Sequence, residues 1–236
     1  MPKSVEKIHI NSIPTLVWGE SSEKVIVAVH GNLSNKADEP ISILAEIATL
    51  HDYQVLSFDL PEHGERKTGK TPCKVQNCVE ELKAVINYAR EKWQFISLFG
   101  VSMGAYFSLL ACHKLPIKHA WFLSPVIDME KIIQNMMKVS SVSEEQLERE
   151  QTIQTPFGHT LYWDYLVYVR NNCIEKWGIP TDILFGENDD VCDTNITKDF
   201  SERFDCSLTT VSGAEHWFHT PEQLNALRRW LENKVQ

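Results

Sequence analysis

The sequence predicts an α/β protein with a mostly parallel central sheet flanked by helices and a small helical cap inserted at about residues 126–178. Three observations predict it. Short β-branched apolar runs alternate with longer helical patterns, the runs carry no polar face, and one stretch rich in methionine, aromatic and charged residues interrupts the alternation. Strands that are apolar on both faces and separated by helices imply crossover units, hence parallel pairing with helices on either side.

At the amino end, Val5 to Ile10 and Thr15 to Trp18 flank Pro14 and read as one or two antiparallel edge strands, because proline cannot donate to a ladder. Lys24 to His30, Gln54 to Asp59, Phe95 to Phe99, His119 to Ser124 and Thr181 to Phe185 are too short for helices and read as buried strands. Between them, Pro40 to Leu50, Val75 to Trp93 and Met103 to Lys114 are helical; Val79, Leu82, Val85, Ile86 and Ala89 recur at helical spacing. Ser207 to Val211 is a last strand. The closing helix opens at Thr220-Pro221-Glu222, where threonine suits the N-cap and proline the first turn. The interrupting segment holds Met136, Met137, the charged run Ser143 to Glu150 and the aromatics Phe157, Tyr162, Trp163, Tyr165 and Tyr168. At about 50 residues it is small for an independent domain, so one domain spanning 1–236 is expected.

Composition narrows the function. Lys and Arg number 23 against 32 Asp and Glu, a formal charge of −9. Such a chain is no dedicated nucleic-acid or anionic-membrane binder, since phosphate is held by clustered cations. No apolar run approaches the roughly 18 residues of a membrane span. The segment Met1 to Lys7 has no signal-peptide core, so a cytoplasmic protein without stable membrane insertion is expected. Six cysteines, at 73, 78, 112, 173, 192 and 206, form no C-x-x-C pair or zinc-type spacing and read as reduced packing thiols. No metal or cofactor is expected.

Chemistry concentrates at Gly100-Val101-Ser102-Met103-Gly104, a G-x-S-x-G motif set between an apolar run and a helix. That strand, sharp turn and helix are the setting of a nucleophile elbow, with glycines where a Cβ would collide and the hydroxyl at a helix N-terminus. Serine is too weak an acid to attack a carbonyl alone; it needs a base, and the base an orienting acid. Gly186 to Val191 and Gly213 to His216 each follow a predicted strand, where sites in parallel sheets collect. Asp189, Asp190, Glu187, Asp193 and Asp128 are all candidates for the acid, and His216 competes with His219 for the base.

With Ser102, Asp189 and His216 in this order, and His30-Gly31-Asn32 ending an early strand, residues 24–219 resemble the α/β-hydrolase family. Asp59-Leu-Pro-Glu-His63-Gly64 looks like that family's turn after the fourth strand. Asp189 to Asp193 and His216-Trp-Phe-His219 are similar to its monoacylglycerol lipase and serine aminopeptidase branch. The resemblance implies that the acid stands three residues after the glycine ending its strand, which selects Asp189, and that the base is His216. It implies an oxyanion hole from the backbone N–H groups of Asn32 and Met103, and a supporting hydrogen-bond role for His30. The expected activity is hydrolysis of a carboxylic ester of a small or medium acyl group, a small-molecule acyl substrate, through an acyl-enzyme, the cap aromatics and methionines walling an apolar pocket. Thioesterase, amidase and acyltransferase chemistry use the same groups, and a non-catalytic binder uses the same fold.

A rival motif is also present. Gly64-Glu-Arg-Lys-Thr-Gly69-Lys70-Thr71 satisfies the phosphate-loop pattern G-x-x-x-x-G-K-T. That loop functions only when a strand runs straight into the first glycine and a helix begins at Lys-Thr. Here four residues intervene after Asp59 and Pro72 follows Thr71, so a solvated loop is expected.

Overall fold

A computed structural model describes residues 4–156 and 158–236. Phe157 of the cap aromatics and the first three residues of the amino-terminal segment lie outside them. Among the described residues ten strands are formed: β1 (Val5–Ile10), β2 (Ile13–Trp18), β3 (Lys24–Val29), β4 (Tyr53–Phe58), β5 (Phe95–Val101), β6 (Ala120–Leu123), β7 (Thr152–Gln154), β8 (Thr160–Tyr162), β9 (Thr181–Gly186) and β10 (Ser207–Val211). Eight of them make one sheet in the order β1-β2-β4-β3-β5-β6-β9-β10. β1 to β2 and β2 to β4 are antiparallel and every other pair in the sheet is parallel.

Both faces of the sheet are covered, and β3 shows how the sequence achieves this. Val25, Val27 and Val29 join one apolar layer with α2 (Val75–Lys92) and α3 (Met103–Cys112), while Ile26 and Ala28 join the other with α1 (Glu39–Ala48) and α8 (Pro221–Lys234). Alternate side chains of a strand point to opposite faces, so a strand of valine, isoleucine and alanine serves two cores at once. On α2 the buried residues Val75, Cys78, Val79, Leu82, Val85, Ile86 and Ala89 form one stripe. α8 begins on a complete capping box: Thr220 accepts from the Gln223 N–H, and the Gln223 side chain accepts from the Thr220 N–H. A cap of this kind contributes about 1 kcal/mol.

The structure corrects one sequence expectation and adds to two others. β2 is internal, paired on both sides, although it contains Pro14. The proline is tolerated because its carbonyl accepts from Asp59 N–H at 3.0 Å, beyond the last β2–β4 pair Thr15 with Phe58. The missing N–H would face the Asp59 carbonyl at the end of the ladder, and that oxygen accepts from Arg66 instead, at 3.0 Å. The cap holds the expected helices, α4 (Met129–Val139), α5 (Glu144–Glu150) and α6 (Trp163–Asn171), with the antiparallel pair β7–β8 added between α5 and α6. Finally, α7 (Thr194–Arg203) was not anticipated; Asp193 caps it and Phe200 anchors it to the core. Among the described residues no helix is long and apolar enough to cross a membrane.

Candidate active site

Ser102 stands between β5 and α3 with φ 53° and ψ −117°, outside the regions that side-chain-bearing residues favour. Such geometry costs about 1–3 kcal/mol and persists only where the surroundings enforce it. Two glycines enforce it here. A Cβ on Gly100 would lie 2.7 Å from Ala105 Cα, and one on Gly104 would lie 2.3 Å from the Val29 carbonyl oxygen. Strand and helix can therefore close tightly about the turn, projecting Ser102 at the carboxyl end of the sheet and at the N-terminus of α3.

His216 lies in the loop after β10, and its side chain is 4% exposed. The Asp189 side chain, in the loop after β9, has no exposure. His216 Nδ1 is 2.8 Å from Asp189 Oδ2, and its Nε2 is 2.9 Å from Ser102 Oγ. The carboxylate can only accept, so Nδ1 carries the proton and Nε2 is free to accept from the serine hydroxyl. Asp189 Oδ1 accepts in turn from the Val191 and Cys192 N–H groups, at 2.9 and 2.7 Å, which fixes the carboxylate before it meets the imidazole. Gly186 draws the two loops together, because a Cβ there would lie 2.5 Å from the carbonyl oxygens of Ala214 and Glu215.

The rival residues have other partners. Asp128 caps α4 through the Lys131 N–H; Asp193 caps α7 and pairs with Lys131 at 2.7 Å. Glu187 accepts from Ser212 Oγ and Gly213 N–H, and Asp190 is exposed. His219 turns its Nδ1 to the Trp217 carbonyl at 2.6 Å, while His216 is the ring bonded to Ser102.

Asn32 and Met103 both lie beside Ser102: Asn32 shares its cavity, and Met103 opens α3, where the first N–H groups have no partner inside the helix. The Asn32 loop is held from below by two histidines. His30, fully buried, donates from Nδ1 to the Gly31 carbonyl at 2.7 Å and accepts the Leu60 N–H at Nε2. Burial lowers its titration to about 4, so the neutral ring that this pairing requires is the stable form. His63 donates from Nδ1 to the Pro61 carbonyl and accepts the Leu33 N–H at 3.1 Å, holding Leu33 at φ 57°. Sequence reasoning gives His63 no chemical role and misses the Val191 and Cys192 amides; an aspartate two and three residues ahead of them, placed to bond its own chain onward, is the local signal for the latter.

The cavity reaching Ser102 and His216 measures about 240 Å³, with apolar walls from Leu33, Val101, Leu123, Trp217 and Phe218. Among the described residues, none that lines it belongs to the cap. Instead, Trp163, Tyr165 and Tyr168 pack against the core that holds α2 and α3. The expectation that cap aromatics wall the pocket is thus corrected: they complete the core under an insert too small to have its own. The phosphate-loop pattern also dissolves. A 3-10 turn covers Gly64–Arg66, the next helix starts at Val75, and the loop is tied to Asp59, which accepts from the Glu65 N–H and the Lys36 ammonium.

No family model matches this chain, and neither does any curated protein sequence. Solved structures do match. Est1E from Butyrivibrio proteoclasticus, with ferulic acid bound, is 19% identical with a TM-score of 0.80, over 98% of this chain and 97% of that one. A hydrolase from Agrobacterium vitis S4 is 16% identical, TM-score 0.79, over 100% of both chains. Mouse alpha/beta hydrolase domain-containing protein 10 is 13% identical, TM-score 0.75, over 98% of both. At these identities the likeness is one of fold.

Proposed function

On the α/β-hydrolase fold that the chain adopts, we propose a serine hydrolase that cleaves a carboxylic ester of a small or medium acyl group. The observation that carries this reading is the continuous contact from Ser102 Oγ to His216 Nε2 at 2.9 Å and from His216 Nδ1 to Asp189 at 2.8 Å. Ser102 Oγ attacks the acyl carbonyl as its proton passes to Nε2. Asp189, pinned by two amides, stabilises the imidazolium that results. The N–H groups of Met103 and Asn32 receive the oxyanion, each contributing about 3 kcal/mol to the transition state. The alcohol leaves with the proton from Nε2, and water, deprotonated by the same nitrogen, releases the acyl group from Ser102.

The acyl group occupies the cavity between Leu33 and Trp217. Its volume of about 240 Å³ falls below the roughly 300–1,000 Å³ of sites for drug-sized ligands, which favours a compact acyl group. Est1E holds ferulic acid, so a phenolic acyl ester belongs among the substrates to try.

A fluorophosphonate probe tests the reading. Wild type is expected to label and Ser102→Ala to remain unlabelled; an inert wild type overturns the enzyme and leaves a binding protein. Hydrolysis of acetyl, butyryl and feruloyl esters, matched thioesters and aminoacyl amides then decides the substrate class.

A further inference from the structure

Cys73 and Cys78 lie at the entrance to α2, and their sulfurs are 3.6 Å apart. Both are free thiols; Cys78 is buried and Cys73 half-buried. Cys73 is tied to the segment before the phosphate-loop-like turn: its N–H donates to Glu62, the residue before His63, at 2.7 Å. The hydrogen bond from Cys78, against the effect of burial and with help from His63, lowers the Cys73 titration, while burial raises that of Cys78. One sulfur is thus the nucleophile and the other its neighbouring thiol. His63 is the same ring that accepts the Leu33 N–H at 3.1 Å, with the Asn32 side-chain oxygen 3.3 Å from that nitrogen.

We propose that Cys73 and Cys78 are a peroxide-reactive dithiol whose closure to a disulfide is relayed through His63 to the loop of Asn32 and Leu33. A disulfide needs its sulfurs about 2.05 Å apart, so the pair has about 1.5 Å to close. The Cys73 thiolate attacks one oxygen of hydrogen peroxide; the O–O bond breaks and hydroxide leaves, giving a sulfenic acid. The Cys78 sulfur, releasing its proton, attacks the Cys73 sulfur; the S–O bond breaks and the oxygen departs as water. Two thiols lose two electrons and two protons, and one peroxide becomes two waters. Closure draws the Cys73 sulfur toward Cys78, and with it the Cys73 N–H that binds Glu62, the residue before His63, so the ring is shifted from its position under the loop. The effect on catalysis rests on the hydrolase reading above; the thiol chemistry and the loop response do not.

The test treats the full chain with hydrogen peroxide and maps unreduced peptides by mass spectrometry. A Cys73–Cys78 link, two hydrogens lighter and reversed by dithiothreitol, is expected. In Cys78→Ser, and in Cys78→Ala should serine disturb the core, a dimedone adduct is expected on Cys73. Oxidation of the exposed Cys173 while 73 and 78 remain free thiols overturns the proposal, as does an adduct on Cys78 in Cys73→Ser with none on Cys73 in Cys78→Ser. The relay is read from the Leu33 amide resonance, expected to shift on oxidation in wild type and to stay fixed in Cys73→Ser; an unmoved wild-type resonance overturns it. Fluorophosphonate labelling is expected to slow about tenfold or more in the oxidised protein, because one oxyanion donor is displaced. Failure to label even when reduced refutes the hydrolase reading alone, since the peptide map and the resonance do not depend on it.

Discussion

Gly104 sits under the carbonyl oxygen of Val29 so closely that a Cβ would come within 2.3 Å of it, and within 2.6 Å of the His30 carbonyl oxygen. The helix behind Ser102 and the strand leading to Asn32 are thereby locked at backbone distance. Alanine is the better helix former by about 1 kcal/mol, but neither carbonyl can swing aside. Gly104→Ala is expected to destabilise the protein by about 1–3 kcal/mol through overpacking. It should also displace the two proposed oxyanion donors, Asn32 and Met103, from each other. Thermal denaturation with fluorophosphonate labelling checks both; an unchanged melting temperature with full labelling contradicts the prediction.

The choice of acid is tested by two neighbouring amides. Asp189→Asn is expected to leave the fold intact and lower kcat by about 10⁴, because an amide no longer imposes the Nδ1–H tautomer. Asp190, exposed and outside the His216 contact, should leave kcat little changed when made Asn. Steady-state hydrolysis of a nitrophenyl ester measures both; the opposite order would move the role to Asp190.

Trp217, 48% exposed, borders the cavity beside His216 at a ring-centroid separation of 5.8 Å. Trp217→Ala is expected to lower kcat/KM for a feruloyl ester by about tenfold or more, the cost of lost apolar contact in a pocket, and to spare an acetyl ester. Equal losses on the two esters would show that the ring positions His216 and does not bind the acyl group.

Far from the site, Asp182 accepts from His119 at 2.8 Å and from Lys234 at 2.6 Å, tying β9 to the end of α8. Burial opposes its charge, but the hydrogen bonds from His119 and Lys234 prevail and hold its carboxyl at about 2. A carboxyl depressed on folding stabilises the protein fully above its ordinary value near 4, and the contribution disappears as pH falls from there to about 2. With His119 and Lys234 side chains 29% and 33% exposed, solvent screening limits the gain to about 1 kcal/mol. Asp182→Asn should therefore lower the melting temperature clearly at pH 6 and much less at pH 2, where about half of the carboxyl is already protonated; an equal loss at both would mean that packing, not charge, is what the substitution removes.

The period of two in Val25 to Val29, the helical stripe of α2 and the G-x-S-x-G turn are local facts, so the sequence alone determined the parallel sheet, its flanking helices and the place of Ser102. It also put Asp189 and His216 within the two loops where partners for that serine belong. Only the tertiary structure decided which carboxylate meets the imidazole, because Asp189 and Asp190 differ solely in which way their side chains leave a turn, and that is set by the Val191 and Cys192 amides. The pocket was likewise invisible in the chain order: apolar cap aromatics satisfy a core and a binding wall equally well, and the packing of Trp163, Tyr165 and Tyr168 over α2 and α3 chose the core. β2 and the Cys73–Cys78–His63 cluster teach the same lesson, since what a proline or a thiol does depends on which atoms lie across from it, and the chain meets those atoms only when folded.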